Sequence, residues 1–203
     1  MGTVILANGS YPSHSVPLKY LREADLIVCC DGAAEKLVSN GMQPGAIVGD
    51  LDSVSQEVRE KYNKVLYTDN EQDTNDLTKA VKWCRANSIQ EVVILGATGL
   101  REDHTLANIS LLAEYSRDMK VKMYTDSGIF ESFDRSVILD SYPGQQVSVF
   151  SITPETAITS RGLRWPLNGL KLRNWWQGTL NEAIHDSFSI EFSDGNVIVF
   201  RQY

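Results

Sequence analysis

Short apolar runs and amphipathic segments alternate along the first 126 residues, and this alternation constrains the fold more than any other feature. Most runs are continuously apolar, as expected of parallel strands that are covered on both faces. The predicted strands are TVILA (3–7), LIVCC (26–30), AIVG (46–49), KVLYT (64–68), EVVILG (91–96) and VKMYT (121–125). The predicted helices lie near 17–24, 33–40, 54–62, 74–86 and 104–117. The pattern predicts an α/β fold with a doubly wound, mostly parallel sheet.

After about residue 130 the pattern changes to short β-prone runs that are separated by turn residues. Asp194 and Gly195 lie between two such runs, a pair typical of a β-hairpin turn. We therefore predict an α/β domain over 1–130, a linker near DSGIFESFD and a smaller all-β sandwich domain over 133–203. A domain of roughly 70 residues has little core of its own, so we expect it to pack against the first domain or a partner subunit.

Charge and hydropathy limit the partners that this chain can have. It contains 19 Lys and Arg residues against 26 Asp and Glu residues, a formal net charge of −7. That balance disfavours binding to nucleic acid or to an anionic membrane surface, since both rely on basic patches. No apolar run approaches the roughly 20 residues that span a bilayer, and the first residues lack the pattern of a signal peptide. We therefore expect a cytoplasmic location.

Carboxylates follow almost every predicted strand. In an open parallel sheet, ligands bind beyond the carboxyl ends of the strands, so we expect these side chains at one edge. They are Asp31 after the second strand, Asp50 and Asp52 after the third, Asp69, Asp73 and Asp76 after the fourth, Asp103 after the fifth and Asp126 after the sixth. Asp also favours turns and helix caps, so the concentration does not by itself identify a reaction.

Two aspartate pairs each allow a structural and a functional interpretation. Asp50 and Asp52 are either turn residues ahead of a helix with a serine cap, or ligands of a cation. In DTND, Asp73 is either the N-cap of a helix or points with Asp76 at one place near the helix N-terminus. We favour the functional interpretation of both pairs, because oxygen ligands that converge from two loops suit Mg²⁺ together with substrate phosphates.

The segment LGATGLREDHTLAN (95–108) links the fifth strand to the next helix. Gly96 and Gly99 permit close approach of the backbone, and N–H groups at a helix start attract anions. Arg101 can bind a phosphate group through two parallel hydrogen bonds. The segment is neither a Walker A loop nor a GxGxxG fingerprint, so the glycine loop alone is a weak signal of phosphate binding.

Taken together, these segments resemble the thiamine pyrophosphokinase (thiamine diphosphokinase) family. The matching stretches are CDGAAEKL (30–37), IVGDLDS (47–53), DTNDLTKA (73–80) and GATGLREDHTLAN (96–108), with GLRWPL (162–167) and GTLNEA (178–183) matching more loosely. The resemblance covers nearly the whole chain, and the combination of motifs in this order is much more specific than any one of them.

The resemblance implies an ATP- and Mg²⁺-binding α/β domain, a thiamine-binding C-terminal β-sandwich and a homodimer with thiamine at the subunit interface. It also implies transfer of a diphosphoryl group from ATP to the hydroxyethyl oxygen of thiamine, with release of AMP. On the family pattern Asp50, Asp52 and Asp76 hold the metal and the triphosphate. The other implied positions are Asp73 and Asp103 in the catalytic set and Asp31, Arg101, Asn108, Thr179 and Asn181 in substrate binding.

This chain departs from the family pattern at three positions. Leu100 stands where many members have a second glycine, and Asn75 stands where they usually have Thr. Leu180 occupies the place of a serine that helps to hold thiamine. The details of the thiamine pocket are therefore expected to differ in this chain.

Three tryptophans of the second domain could contact thiamine. Trp165, Trp175 and Trp176 could each stack on a flat cationic heterocycle, or fill the core of the β domain. We assign Trp165 and Trp176 to substrate binding.

We expect an in-line attack by the primary hydroxyl of thiamine on the β-phosphorus of ATP, with Asp73 or Asp103 as the candidate proton acceptor.

A rival interpretation is a phosphatase of the haloacid dehalogenase type, which also uses Asp-x-Asp after a strand. That family places the pair on an early strand followed by Thr or Val, whereas here Ser53 follows the pair after the third strand. A nucleotide-binding sensor without turnover is a rival of another class, and the carboxylates in both loops argue against it.

Overall fold

The computed structural model describes residues 2–203, which divide into two compact units. The first unit comprises the residues up to Ile109 together with Asp118–Asp126. The second unit comprises Ser110–Arg117 and Ser127–Tyr203. The predicted boundary at 130–133 and the binding roles of the two domains stay predictions.

The strands of the first unit pair in parallel, in the order β6-β5-β1-β2-β3-β4. They are β1 (Thr3–Leu6), β2 (Leu26–Cys30), β3 (Ala46–Gly49), β4 (Leu66–Thr68), β5 (Glu91–Leu95) and β6 (Lys120–Tyr124). All four residues of β3 are buried, which agrees with coverage on both faces. The predicted mostly parallel α/β sheet is confirmed.

Helices follow the strands of this sheet in alternation. They are α1 (Ser15–Arg22), α2 (Ala33–Ser39), α3 (Gln56–Lys61), α4 (Asp76–Ala86) and α5 (Glu102–Tyr115). Ser55 caps α3 by accepting a hydrogen bond from the backbone N–H of Val58. The alternative that Asp73 caps the next helix is wrong, because Asn75 directly precedes α4 and accepts from the N–H of Thr78. Within residues 2–203, no helix has the length and apolar character needed to cross a membrane.

The second unit is a β-sandwich, as predicted. Within this unit, one layer consists of antiparallel strands in the order β12-β9-β14-β7, and the other layer is a four-stranded sheet in the order β11-β10-β13-β8. Val147 and Val149 from the first sheet are buried in one cluster with Phe188 and Ile190 from the second. The strands are β7 (Gly128–Phe133), β8 (Val137–Asp140), β9 (Gln146–Ser151), β10 (Ala157–Arg161), β11 (Leu170–Lys171), β12 (Asn181–Glu182), β13 (Ser187–Glu191) and β14 (Val197–Gln202).

The predicted hairpin around Asp194 and Gly195 is wrong. These residues connect β13 to β14, but β13 pairs with β8 and β10 whereas β14 pairs with β7 and β9. Gly195 has a φ of 86°, so the turn signal correctly identified the local backbone. Strand pairing depends on which distant strands bury the apolar residues, and the turn residues do not determine it. Here the turn connects a strand of one layer to a strand of the other.

The segment predicted as a linker mostly forms β7. This strand pairs with β14 along its whole length, with Phe130 opposite Phe200. Residues 126–134 contain Ser, Gly and Asp, which are typical of loops. The segment forms a strand because it pairs with β14, and no local sequence pattern shows a pairing between residues so far apart in the chain.

Gly178→Ala is expected to lower the free energy of unfolding by about 2 kcal/mol, because over-packing of this kind costs roughly 1–3 kcal/mol. Gly178 ends the 3₁₀ helix Trp175–Gly178, and a Cβ atom there would lie 2.0 Å from the carbonyl oxygen of Val149 on β9. Urea unfolding measures the loss. Gly144→Ala is the comparison for backbone strain without a clash: Gly144 has a φ of 91° and no atom within 4 Å of the new Cβ, so this variant should lose only the roughly 1 kcal/mol of left-handed strain. An equal midpoint for Gly178→Ala and wild type would contradict the packing argument.

Candidate active site

A cavity of about 510 Å³ opens beyond the carboxyl ends of the parallel strands. It lies where the strand order reverses, because β1 has β2 on one side and β5 on the other. Open α/β sheets bind their ligands at such a switch point. The lining residues include Asn8 and Gly9 after β1, Asp31 after β2, Asp50 and Asp52 after β3, Asp76 and Lys79 on α4, and Arg101 and Asn108 after β5.

Three carboxylates form a cluster in this cavity. Asp31, Asp50 and Asp52 each offer an oxygen atom, and these atoms all lie within 4.8 Å of one another. Asp76 approaches the same place from α4: a Cβ atom on Gly49 would lie 2.9 Å from the Cβ of Asp31 and 3.3 Å from Oδ1 of Asp76. A glycine at the end of β3 therefore allows carboxylates from two neighbouring elements to come together.

The backbone is strained at one residue of the carboxylate cluster and at one residue beside it. Asp31 has a φ of 43° and Leu51, between Asp50 and Asp52, has a φ of 66°. Residues with side chains occupy this left-handed region only at a cost in free energy, and such strain concentrates at functional sites. The N–H of Asp52 donates to Oδ1 of Asp50 at 3.2 Å, which fixes the turn between the two carboxylates.

Asp31 is the most buried carboxylate of the cluster, with 3% of its surface exposed. Its Oδ2 accepts a hydrogen bond from the N–H of Ser53 at 3.3 Å. Its Oδ1 is also buried but has no hydrogen-bond partner anywhere in residues 2–203. Burial raises the pKa of Asp31, the hydrogen bond from Ser53 opposes this, and the negative charges of Asp76 and Asp50 raise it further.

Asp76 shares this electrostatic environment but has a cation beside it. Burial raises the pKa of Asp76, whereas Lys79 lowers it and the charges of Asp50 and Asp52 raise it. Nζ of Lys79 lies 3.3 Å from Oδ1 of Asp76, and the Lys79 side chain is only 3% exposed. Lys79 was not among the predicted site residues, although its position three residues after Asp76, on the same side of a helix, was a usable signal.

The residues present fit a divalent cation with oxygen ligands. The donors are carboxylates from β2, β3 and α4, which is the ligand type that Mg²⁺ prefers. A buried carboxylate oxygen without a hydrogen bond is costly unless a ligand satisfies it, and the Oδ1 of Asp31 is such an atom. A cation would also relieve the repulsion that raises the pKa values of Asp31 and Asp76.

Asn8 and Gly9, which follow β1, also line the cavity. The N–H of Gly9 donates to the carbonyl of Gly96 at 2.7 Å, and a Cβ on Gly9 would lie 2.4 Å from that carbonyl oxygen. Nζ of Lys36 donates to the carbonyls of Asn8 and Gly9 at 3.0 and 2.6 Å. Asn8 and Gly9 were not among the predicted site residues, because no carboxylate follows β1. The strand-end rule, applied to the polar residues after β1, would have found them.

Asn108 connects the glycine loop to the start of α4. Its Nδ2 donates to the carbonyl of Ala97 at 2.9 Å, and its Oδ1 accepts from Nδ2 of Asn75 at 3.2 Å. Asn75 is one of the positions where this chain departs from the family pattern. In a chain with Thr at this position, the hydroxyl group would have to replace the amide as the donor of the hydrogen bond to Asn108. Asn108 therefore both lines the cavity and joins two of its walls.

Two of the predicted catalytic residues stand apart from the cavity lining. Among the residues that the structure describes, Asp73 and Asp103 do not line the cavity, although Arg101 does. Arg101 and Asp103 form an exposed ion pair, with Nη2 of Arg101 at 2.6 Å from Oδ2 of Asp103. This pair lowers the pKa of Asp103 to about 2. Asp73 is exposed in the loop between β4 and α4.

In the second unit, the tryptophans divide into two groups. Trp165 and Trp176 are 57% and 74% exposed, so neither is part of the core. Trp175 is partly buried and meets Phe150 edge to face, with ring centroids 5.7 Å apart. Trp175 therefore packs against Phe150 outside the cluster of buried residues that forms the core of this unit, and the two exposed rings remain available to a ligand or to another chain.

The polar residues assigned to thiamine binding lie next to the exposed tryptophans. Asn181 is buried, and its side chain accepts from the N–H of Trp165 at 3.1 Å and donates to the Trp165 carbonyl at 2.6 Å. The hydroxyl of Thr179 donates to the carbonyl of Trp176 at 2.8 Å. Each residue therefore holds the backbone of one exposed tryptophan. Leu180 between them is 75% exposed, with a φ of 59°.

Comparison with known proteins identifies the family. Residues 18–124 match the model of the thiamin pyrophosphokinase catalytic domain, and residues 128–200 match that of the thiamin pyrophosphokinase substrate-binding domain. The chain belongs to the thiamin pyrophosphokinase family.

Individual relatives agree with the family match. Thiamine pyrophosphokinase 1 of Oryza sativa subsp. japonica is 30% identical over 200 residues, covering 83% of this chain and 75% of the relative. Thiamine pyrophosphokinase of Bacillus subtilis (strain 168) is 26% identical over 215 residues, covering 99% of both chains. A solved structure of thiamine pyrophosphokinase from Bacillus subtilis has the same fold, with a TM-score of 0.81 at 24% identity over 100% of this chain and 99% of that one.

Asp31→Asn is expected to raise the free energy of unfolding of the metal-free protein at neutral pH by about 1 kcal/mol, the usual size of a stabilising change. Folding raises the pKa of Asp31, so its ionised form opposes folding above the ordinary pKa of Asp. The gain should disappear near pH 3, where the wild-type carboxyl is protonated in both states. Urea unfolding at the two pH values measures this difference.

Asp186→Asn is the control for that experiment, because Asp186 is exposed in the second unit. It should change stability little at either pH. Added Mg²⁺ should stabilise the wild type more than Asp31→Asn, since the variant has one carboxylate fewer in the cluster. A loss of stability on Asp31→Asn at neutral pH would contradict the argument that this carboxylate is kept at the expense of stability.

Proposed function

We propose that this chain transfers a diphosphoryl group from ATP to the hydroxyethyl oxygen of thiamine, giving thiamine diphosphate and AMP. The observation that carries the proposal is the carboxylate cluster at the switch point of the sheet, in a chain whose two halves match the two domains of the family. We place the reaction in the cytoplasm, which stays a prediction from the sequence.

The reaction is an in-line displacement at phosphorus. The substrate oxygen forms a bond to the β-phosphorus while the bond from this phosphorus to the α–β bridging oxygen breaks, and AMP leaves with that oxygen. Such a transfer depends on positioning and on electrostatic stabilisation. Bound Mg²⁺ would neutralise the charge that develops on the phosphate oxygens, and Asp50, Asp52 and Asp76 would hold it. Asp31 lies within the same cluster and would support this set.

Cationic and backbone groups of the cavity would orient the triphosphate. Arg101 lines the cavity and can form two parallel hydrogen bonds to phosphate oxygens. It would have to exchange its present partner, Asp103, for the substrate. The low pKa of Asp103 makes this residue a weak proton acceptor as long as the ion pair persists. Asp73 is the other candidate to accept the proton of the hydroxyl group.

The chain acts as a homodimer that binds thiamine at the subunit interface. The exposed rings of Trp165 and Trp176, with the exposed side chain of Leu180, support this part of the proposal, because neighbouring apolar side chains rarely face water without a partner. Light scattering should give a molar mass of about twice the 22.7 kDa of one chain. An active species with the mass of a single chain would exclude a shared thiamine site.

Incubation with Mg²⁺ and ATP, with and without thiamine, tests the reaction. AMP should form only when thiamine is present. Release of inorganic phosphate without thiamine would indicate a phosphatase, and nucleotide binding without products would indicate a sensor.

Asp50→Asn should lower turnover by about two to three orders of magnitude, the usual effect of removing one preorganised electrostatic group. Its circular dichroism spectrum should match that of the wild type, and Asp186→Asn should retain normal turnover. Near-normal turnover of Asp50→Asn would refute the assignment of Asp50 to the metal site.

A further inference from the structure

The geometry points to Arg59 as a positioning residue for residues 50–54, the segment that carries Asp50 and Asp52 and that we call the aspartate loop. The inference rests on the proposed role of these two carboxylates in metal binding. Arg59 lies on α3, which follows the aspartate loop in the chain. Its side chain turns back to that loop, where Nε donates to the carbonyl of Val54 at 2.9 Å and Nη2 donates to the carbonyl of Leu51.

The aspartate loop needs such support because of the conformation of Leu51. With a φ of 66°, Leu51 occupies the left-handed region that residues with side chains rarely adopt. This conformation sets the relative directions of Asp50 and Asp52 on either side of it. A strained residue of this kind persists only where its surroundings over-determine it.

Two kinds of contact hold Leu51 in place. The side chains of Leu51 and Val54 are 5% and 4% exposed, so packing fixes the loop from the protein interior. The carbonyl of Leu51 accepts hydrogen bonds from the N–H of Val54, at 3.3 Å, and from Arg59. The two bonds from one rigid guanidinium group fix the Leu51 and Val54 carbonyls relative to each other.

Charge makes Arg59 more suitable for this role than a neutral donor. Hydrogen bonds from a guanidinium group are stronger than those between neutral groups. They also bring a positive charge to the backbone of a loop that carries two carboxylates. Arg59 lies outside every stretch that resembles the family, so no motif points to it.

If Arg59 fixes the aspartate loop, its loss should weaken metal binding much more than it weakens folding. Without the two bonds, Leu51 can relax to an ordinary backbone conformation, and the carboxylates of Asp50 and Asp52 then diverge. A residue that merely stabilised α3 would lower the unfolding temperature and leave the metal affinity of the folded protein unchanged. Metal affinity therefore distinguishes positioning from general stabilisation.

The experiment measures Mn²⁺ binding in the presence of α,β-methylene-ATP, an analogue in which a methylene group replaces the oxygen that the reaction would release. Electron paramagnetic resonance reports the free Mn²⁺, and matched titrations with and without the full chain separate Mn²⁺ held at the protein site from Mn²⁺ held by the nucleotide alone. Arg59→Met, which keeps an apolar stem but has no donor, should weaken Mn²⁺ binding about tenfold, as expected for the loss of charge-assisted hydrogen bonds. Arg59→Lys keeps the charge and one donor group, so its affinity should lie between those of the wild type and Arg59→Met.

Lys61→Met is the matched control, because Lys61 is a cation on the same helix. Its affinity for Mn²⁺ should stay within about twofold of the wild type, since long-range charge effects are screened by salt. Wild-type affinity in folded Arg59→Met, or an equal loss in Lys61→Met, would overturn the inference. If Arg59→Met does not fold, wild-type affinity in Arg59→Lys overturns it, and a reduced affinity supports it.

The outcome for Arg59 is independent of the outcome for the overall reaction. Mn²⁺ binding requires neither thiamine nor turnover. A wild type that binds Mn²⁺ but forms no AMP therefore refutes the proposed function, and the Mn²⁺ affinities of the Arg59 variants can still be compared. A wild type that forms AMP, together with unchanged binding in Arg59→Met, refutes only the role of Arg59. A wild type that does not bind Mn²⁺ refutes the metal site on which the role of Arg59 rests, whereas the formation of AMP still decides the proposed function.

Discussion

Repulsion among carboxylates is the constraint on which the candidate site depends. Asp31, Asp50 and Asp52 bring oxygen atoms within 4.8 Å of one another, and Asp76 approaches them past Gly49. Burial and mutual repulsion raise the pKa values of Asp31 and Asp76. The ionised carboxylates are therefore less stable in the folded protein than they would be in water. A divalent cation is the simplest partner that turns this unfavourable arrangement into a binding site.

The scaffold around the cluster resists that repulsion. Parallel strands that are buried on both faces fix the starting points of the loops, and the glycines at Gly9 and Gly49 let backbone segments approach closely enough to form the cavity. Lys36 and Arg59 then hold individual loops through hydrogen bonds to backbone carbonyls, and Lys79 pairs with Asp76 on α4. Stability and function are therefore in tension at this site, as is common where strained or charged residues must be preorganised.

Much of the fold and part of the site could be predicted from local sequence. Continuous apolar runs indicated the parallel strands, and the rule that ligands bind beyond their carboxyl ends brought Asp31, Asp50, Asp52 and Asp76 to one cavity. The prediction failed where distant pairing decided the structure. Asp194 and Gly195 form a turn between two sheets rather than a hairpin, and the expected linker is a strand because β14 pairs with it.

By itself, the sequence determined the alternation of strands and helices, the edge at which the carboxylates gather, and the family motifs, because each depends on residue spacing along the chain. Only the tertiary structure decided that Asp31 has a buried oxygen without a partner, and that Trp165 and Trp176 are exposed whereas Trp175 is not. These properties depend on which distant groups pack around a side chain. Aspartates and tryptophans differ from one another in burial and in neighbouring charge, and the spacing of residues along the chain predicts neither property.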